Sequence, residues 1–371
     1  MKSFFKKILI ATILICPFAA RADINIAIVS PMSGSYKYYS EELIDGAKIA
    51  VDEINNRGGL QGRKVNLVPV DDPCDDVLSL STAQMMALNK SAEDKMYLVI
   101  GPHCTNVADQ VADLLHKAEI VQIHPTSISK AFYSVSNPNV VRFAGYKEDQ
   151  ARGLAHFVVD HYPSKKMAVI YDENSAEMRS IVDAIGNEYT VMGKTGDVLL
   201  IPYAGDKGIS GVVDKVLEIN ADIVYVMGKY DNVLAASERL RNRNDKIILL
   251  TDRYQLSKKF IRKTNELSKE SLLFSLASLK NNPNFASSLV RLRLWGIEPE
   301  GLMPYGYLSV KMWADMVNRA KSFKYARVLK QLNNRKVATG WGNVVFEGGV
   351  PKQAAPFTVY RIRKGEYTQV K

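Results

Sequence analysis

The chain has little cysteine, little histidine and, past its first two dozen residues, no long apolar run. Of its 371 residues, three are cysteine and five are histidine. A membrane span needs roughly 20 uninterrupted apolar residues, and nothing downstream of Phe18 approaches that length. The short motifs of common enzymes are missing as well: there is no G-x-S-x-G, no H-E-x-x-H, no P-loop and no C-x-x-C. Gly228-Lys229 has part of a P-loop's form but lacks the upstream glycine and the following Ser or Thr. His103, His116, His124, His156 and His161 show no metal-ligand spacing, so neither metal nor cofactor is expected. Asp71-Asp72 and Asp75-Asp76 can be read as a cation site, but a solvated acidic loop is the simpler reading.

What is present begins with an export signal. Lys2, Lys6 and Lys7 form a positive head, Ile8 to Phe18 an apolar run, and Ala20-Arg21-Ala22 the small residues of a cleavage site. This is the pattern of a secretory signal peptide over residues 1–22, too short and wrongly flanked for a transmembrane helix. Cys16 lies in the apolar run, but Ile13-Leu14-Ile15 lacks the small residues that precede a lipidated cysteine. The mature chain is then expected to start near Asp23, to reside in the periplasm and to keep only Cys74 and Cys104. Two lone cysteines in an oxidising compartment point to one disulfide; two buried free thiols are the alternative. Closing a loop of about 30 residues stabilises by roughly 3–4 kcal/mol in the chain-entropy model.

The formal charge of +10 loses four basic residues with the signal, which leaves a weak case for any polyanionic partner. Export argues against nucleic acid. The densest basic run, Lys258, Lys259, Arg262 and Lys263, surrounds Phe260 and Ile261 and reads as a solvated helix face.

Length predicts two domains, and the hydrophobic pattern agrees. Ile24–Val29 reads as a strand, Ser30–Ser40 as a loop, and Leu43, Ala47, Ala50, Val51 and Ile54 as a helix that stops at Gly58-Gly59. Strands at 65–70, 97–101 and 120–123 alternate with helices at 79–88 and 107–116. The rhythm restarts after Tyr146, with strands at 167–171, 198–202, 223–227 and 247–250 and helices between them. Helices at 284–295, 305–320 and 325–332 follow, then short antiparallel strands at 342–346, 357–362 and 367–370. Strand–helix–strand alternation implies parallel sheets with right-handed crossovers, hence two successive α/β lobes.

Ligands of open parallel sheets bind beyond the carboxyl ends of the strands. The loops expected there hold Ser33, Gly34, Tyr36, Tyr38 and Tyr39; Asp71, Asp72 and Cys74; His103, Cys104, Thr105 and Asn106; and Pro125 to Ser129. Thr105 and Asn106 open a predicted helix, where unpaired N–H groups and the helix dipole favour an anion such as a carboxylate. Both are also ordinary helix caps.

These residues resemble a known family. Ser30-Pro31-Met32-Ser33-Gly34, Gly46-Ala47, Asp52-Glu53-Ile54-Asn55 and Gly58-Gly59-Leu60-Gln61-Gly62-Arg63-Lys64 are closely similar to the Leu/Ile/Val-binding periplasmic proteins of branched-chain amino acid ABC importers. The resemblance implies a type I periplasmic-binding-protein fold, with two doubly wound parallel-sheet lobes joined by a three-crossing hinge. Residues 23–146 with 276–350 would form one lobe and 147–275 with 351–371 the other. It further implies a Cys74–Cys104 disulfide, a ligand carboxylate at Thr105, an aromatic wall at Tyr39 and an ammonium contact at Ser127. Tyr230 and Asp252, or Arg253 by another register, would be the second lobe's partners. The sequence departs from the family's pattern at Ile128 and Ala176, where a hydroxyl and an aromatic side chain would stand. The expected function is non-enzymatic capture of an amino acid or related small carboxylate for an ABC permease and its ATPase; a periplasmic sensor of the same fold is the alternative. A monomer is the default expectation.

Overall fold

The structure, a computed structural model, describes residues 22–89, 91, 93–103, 107–128, 140–252, 255, 258–265, 271–332 and 335–370. Two sheets organise it. In the first, β1 (Ile24–Ser30), β2 (Val65–Asp71), β3 (Met96–Ile100), β4 (Val121–His124) and β5 (Val140–Arg142) run parallel in the order β2-β1-β3-β4-β5. In the second, β6 (Met167–Asp172), β7 (Val198–Tyr203), β8 (Ile223–Val226), β9 (Ile248–Thr251) and β10 (Ser271–Leu276) repeat that order as β7-β6-β8-β9-β10. A small antiparallel sheet of β11 (Lys336–Thr339), β12 (Gly342–Glu347) and β13 (Val350–Pro351) lies beside β5, where Arg142 N–H donates to Gly349 O at 2.9 Å. The chain closes with β14 (Phe357–Arg363) and β15 (Glu366–Gln369), which extend the second sheet antiparallel beyond β10.

Helices α1 (Lys37–Asn56), α2 (Asp76–Leu88) and α3 (Ala108–Lys117) join strands of the first sheet, and α4 (Lys147–His161) leads into the second. Helices α5 (Ala176–Val191), α6 (Gly205–Glu218), α7 (Tyr230–Arg243) and α8 (Lys258–Asn265) serve the second sheet. Helices α9 (Ala286–Leu294), α10 (Met303–Ala320) and α11 (Tyr325–Leu329) return to the first, where α10 packs along α1.

With helices on both faces, inner strands are buried on both sides and read as continuous apolar runs; every residue of β8, Ile-Val-Tyr-Val, is buried. The two edge strands differ. Both β2 and β7 carry an exposed proline, Pro69 and Pro202, a residue that cannot donate to an inner ladder. Their equivalent places show the two sheets to be built alike.

The structure departs from the pattern reading in a few elements. Tyr38 and Tyr39 are helical, because no breaker follows Gly34 and the helix starts at Lys37 rather than after Ser40. Strand β5 is only three residues long, and β10, Ser-Leu-Leu-Phe-Ser-Leu, is buried at every position and so shows no alternation. Neither carries a periodic signal.

Three stretches pass between the sheets, and they are bonded to one another. Ala355 N–H donates to Phe143 O at 2.8 Å and Ala277 N–H to Pro356 O at 2.7 Å, while Ala144 and Ala355 form a parallel bridge. The hydroxyls of Tyr305 and Tyr360 donate to Ala277 O and Leu276 O at 2.8 and 2.7 Å.

Glu53 ties α1 to α9 and α10. Its side chain is 1% exposed, yet it meets Arg291 at 2.7 Å, Arg57 and Lys311 at 3.0 Å, and the Tyr307 hydroxyl at 2.5 Å. Burial pushes its pKa up, but the Tyr307 hydrogen bond and the Lys311 and Arg291 charges outweigh that and hold it below the usual value. Removing one member of a buried ion pair costs about 3–5 kcal/mol. Glu53→Ala is expected near the lower end, because its cationic partners reach water, and equilibrium denaturation measures it. Because the folded carboxyl is depressed, its stabilisation holds above the usual glutamate pKa and fades as the pH falls through the folded one.

Candidate binding site between the sheets

Each sheet reverses its strand order beside its first strand, which opens a crevice beyond the carboxyl ends. The crevice lies between β1 and β3 in the first sheet and between β6 and β8 in the second. Close approach to a glycine builds both rims, by backbone in the first sheet and by a side chain in the second. A Cβ on Gly101, at φ +105°, would lie 2.2 Å from Val29 O; one on Gly228 would lie 2.3 Å from the Tyr203 hydroxyl. Only glycine fits at Gly101, while at Gly228 a larger residue would displace the Tyr203 hydroxyl. The Tyr203 hydroxyl donates to Met227 O at 3.3 Å, and Gln255 Nε2 donates to Gly228 O at 3.0 Å.

The loop after β1 is held by Met32 N–H donating to Asp71 Oδ1 at 2.8 Å and by a 2.6 Å bond between the Ser30 and Ser40 hydroxyls. That loop and the first turn of α1 bring Tyr36, Tyr38 and Tyr39 to the crevice. The Tyr38 ring sits 5.4 Å from that of Tyr230, in the first turn of α7, and Tyr230 meets Phe260 edge-on at 5.7 Å. The two units therefore touch directly. Tyr39 and Tyr36 flank His103, with ring centroids 4.4 and 5.5 Å from its own. Burial, and then Glu177, Tyr203, Asp172 and Asp252, hold the Tyr36 hydroxyl far above the ordinary tyrosine pKa. All four of those neighbours belong to the second unit, so Tyr36 reaches across.

The two sides differ in charge. On the second, Asp252 is fully buried after β9 and accepts from the Tyr225 hydroxyl at 3.2 Å. On the first, His124 ends β4 beside Arg142 of β5, whose guanidinium lies over the Tyr146 ring at 4.1 Å. Burial, and then the neighbouring His103 and Arg142, push the His124 pKa well below the ordinary value.

Of the residues singled out in the sequence, Tyr39, Ser127, Tyr230 and Asp252 are buried; the last three lie just beyond strand carboxyl ends and Tyr39 in the first turn of α1. Tyr230 touches Tyr38, the residue before Tyr39 in α1. Thr105, Cys104 and Arg253 lie outside the described residues. Cys74 is disulfide-bonded. Ile128 is packed into the main core, which accounts for an apolar side chain there. Ala176 is exposed at the start of α5, and its neighbour Glu177 is the residue within range of Tyr36. Sequence reasoning did not single out Glu177, Asp172, Tyr203 or Arg142 for the site. Asp172 and Tyr203 could have been found as the last residues of strands; Arg142 also ends a strand, but one too short to read from the sequence, and Glu177 is placed by tertiary packing.

The acidic loop is not simply solvated. Asp72 is buried, accepting from Ser79 Oγ at 2.6 Å, and Asp75 caps α2 by accepting from Val77 N–H and Leu78 N–H. No group of three or more metal-ligating side chains stands together among the described residues.

A sequence profile of the periplasmic binding protein family matches residues 23–254. The chain belongs to that family. It is 23% identical over 360 residues to the Leu/Ile/Val-binding protein BraC3 of Rhizobium johnstonii, covering 96% of each chain. Its fold matches that of the leucine-binding protein LivK of Thermotoga maritima at TM-score 0.81 and 20% identity, over 94% of this chain and 98% of the other. It likewise matches LivJ of Streptococcus pneumoniae, solved with isoleucine, at TM-score 0.76 and 18% identity, over 94% and 99%. The family is one of solute-binding proteins, and the crevice lies where such a fold holds its ligand.

A buried histidine whose pKa is depressed binds fewer protons folded than unfolded. Its contribution to stability is therefore present above the ordinary value of about 6.5 and is lost as the pH falls below it. His124→Asn should flatten the fall in melting temperature between about pH 7 and pH 5. Parallel pH dependence in both proteins would show that His124 does not supply it.

Proposed function

We propose that this member of the periplasmic binding protein family is the solute-binding component of an ABC importer. It captures an amino acid or related small carboxylate between its lobes and delivers it, unchanged, to a permease and ATPase at the inner membrane. In this reading the signal peptide of residues 1–22 is removed and the protein works in the periplasm. Residues 23–146 with 276–350 form one lobe and 147–275 with 351–371 the other, with the bonded crossings as the hinge.

The observation that carries the proposal is the contact of Tyr38 with Tyr230 across the crevice, in a chain whose full-length relative is named for leucine, isoleucine and valine. Tyr39 walls the ligand, Thr105 takes its carboxylate and Ser127 meets its ammonium. Asp252 and Tyr230 complete the ammonium side from the second lobe. Binding stabilises the closed arrangement because only that arrangement offers both sets of partners, which is a population shift.

Purified mature protein should melt higher with leucine, isoleucine or valine, gaining about 2.7 kcal/mol at a concentration 100 times Kd. Loss of a buried partner typically costs about 1–3 kcal/mol, so Asp252→Asn should raise Kd roughly tenfold or more by calorimetry. No thermal shift across the twenty amino acids and small organic acids would reject the ligand class.

A further inference from the structure

Helix α2 presents an apolar face to solvent. Val77, Leu78, Met85 and Leu88 are 74%, 51%, 62% and 76% exposed, four of the eleven large exposed hydrophobics among the described residues. The helix's opposite face, with Ser79, Ala83 and Met86, is buried under the first sheet and α3. The exposed residues form one stripe. Exposed Leu78, Met85 and Leu88, with half-buried Ser81 between them, follow the alternating three- and four-residue spacing of a helix-pairing seam, and Val77 and Gln84 flank it. The four apolar side chains expose on the order of 400 Å² together, the size at which an apolar patch marks an interaction site.

The stripe's sequence is self-complementary. When two copies are laid antiparallel about a twofold axis at the level of Ala83, Leu78 faces Leu88 of the other copy and Ser81 faces Met85. Small then meets long, and the helix dipoles oppose. Charge permits the pairing: α2 contains no Lys or Arg and one acidic residue, Asp76, in a chain with 49 basic residues. We infer that α2 is a self-association surface, through which two copies of this chain pair isologously. Two such stripes supply somewhat less than the roughly 1,000 Å² a stable interface needs, so the dimer is weak and concentration-dependent. None of the crevice residues lies on α2, and self-association leaves ligand binding unchanged. The monomer expected from sequence is then the dilute form.

Sedimentation velocity of the mature protein from a few micromolar to about 1 mM tests this, with the sedimentation coefficient expected to rise toward that of a dimer across the range, as for a weak interface of this size. Leu88→Glu and Met85→Glu should each leave a monomer at every concentration, with the ligand-induced melting shift intact as proof of folding. Mixing Ser81→Cys with Met85→Cys protein under mild oxidation should crosslink the two more readily than either alone. A wild-type protein monomeric throughout, or a dimer indifferent to both glutamates, overturns the inference. A monomeric wild type whose Leu88→Glu form binds ligand but fails in cellular uptake also overturns it and assigns the stripe to a membrane partner.

Discussion

The structure depends on the mutual hydrogen bonding of its three crossings. A parallel sheet sends its loops to its two ends, and only the carboxyl end is suited to hold a ligand. Two such sheets make one site only if their carboxyl ends face each other. The Ala355–Phe143 and Ala277–Pro356 bonds, with the Tyr305 and Tyr360 hydroxyls on the neighbouring carbonyls, set that orientation. The crossings lie within a hydrophobic cluster that runs through both units, with Phe143, Ala144 and Ala355 among its members.

Each unit is stiff by a different device. The first is braced by Glu53, which joins α1 to α9 and α10 through the Tyr307 hydroxyl and two cations, Arg291 and Lys311. The second holds β8 and β9 together at the rim through Tyr225 on Asp252, and β7 to the end of β8 through Tyr203 on Met227 O. Stiff units and a narrow bonded passage are the ingredients of hinge closure.

The crevice itself is electrically divided. Neutral His124 and cationic Arg142 stand on the first unit, and Asp172, Glu177 and Asp252 are felt by Tyr36 from the second. Tyr36 belongs to the first unit but is half-buried within range of acidic groups of the other, and its raised pKa keeps the hydroxyl protonated and neutral. Helix α2 lies apart from this division, on the first unit's outer layer, where an uncharged apolar stripe can serve a separate purpose.

Hydrophobic periodicity alone shows the two α/β units, because helices and strands with periods of 3.6 and 2 residues cannot exchange patterns. It also shows which loops reach the carboxyl ends, and Tyr36, Tyr38, Tyr39, His103 and Tyr230 all lie in or next to such loops. Strands β5 and β10 escape, one through brevity and the other because burial on both faces erases alternation. The partnership of Tyr36 with Glu177, Asp172 and Asp252 escapes too, as does that of His124 with Arg142. These groups come from elements far apart in sequence, and no local pattern encodes a distance between them. What the chain's sequence determined by itself was the set of rims; which rim faces which, and what charge each brings, was decided by how the crossings fold one sheet over the other.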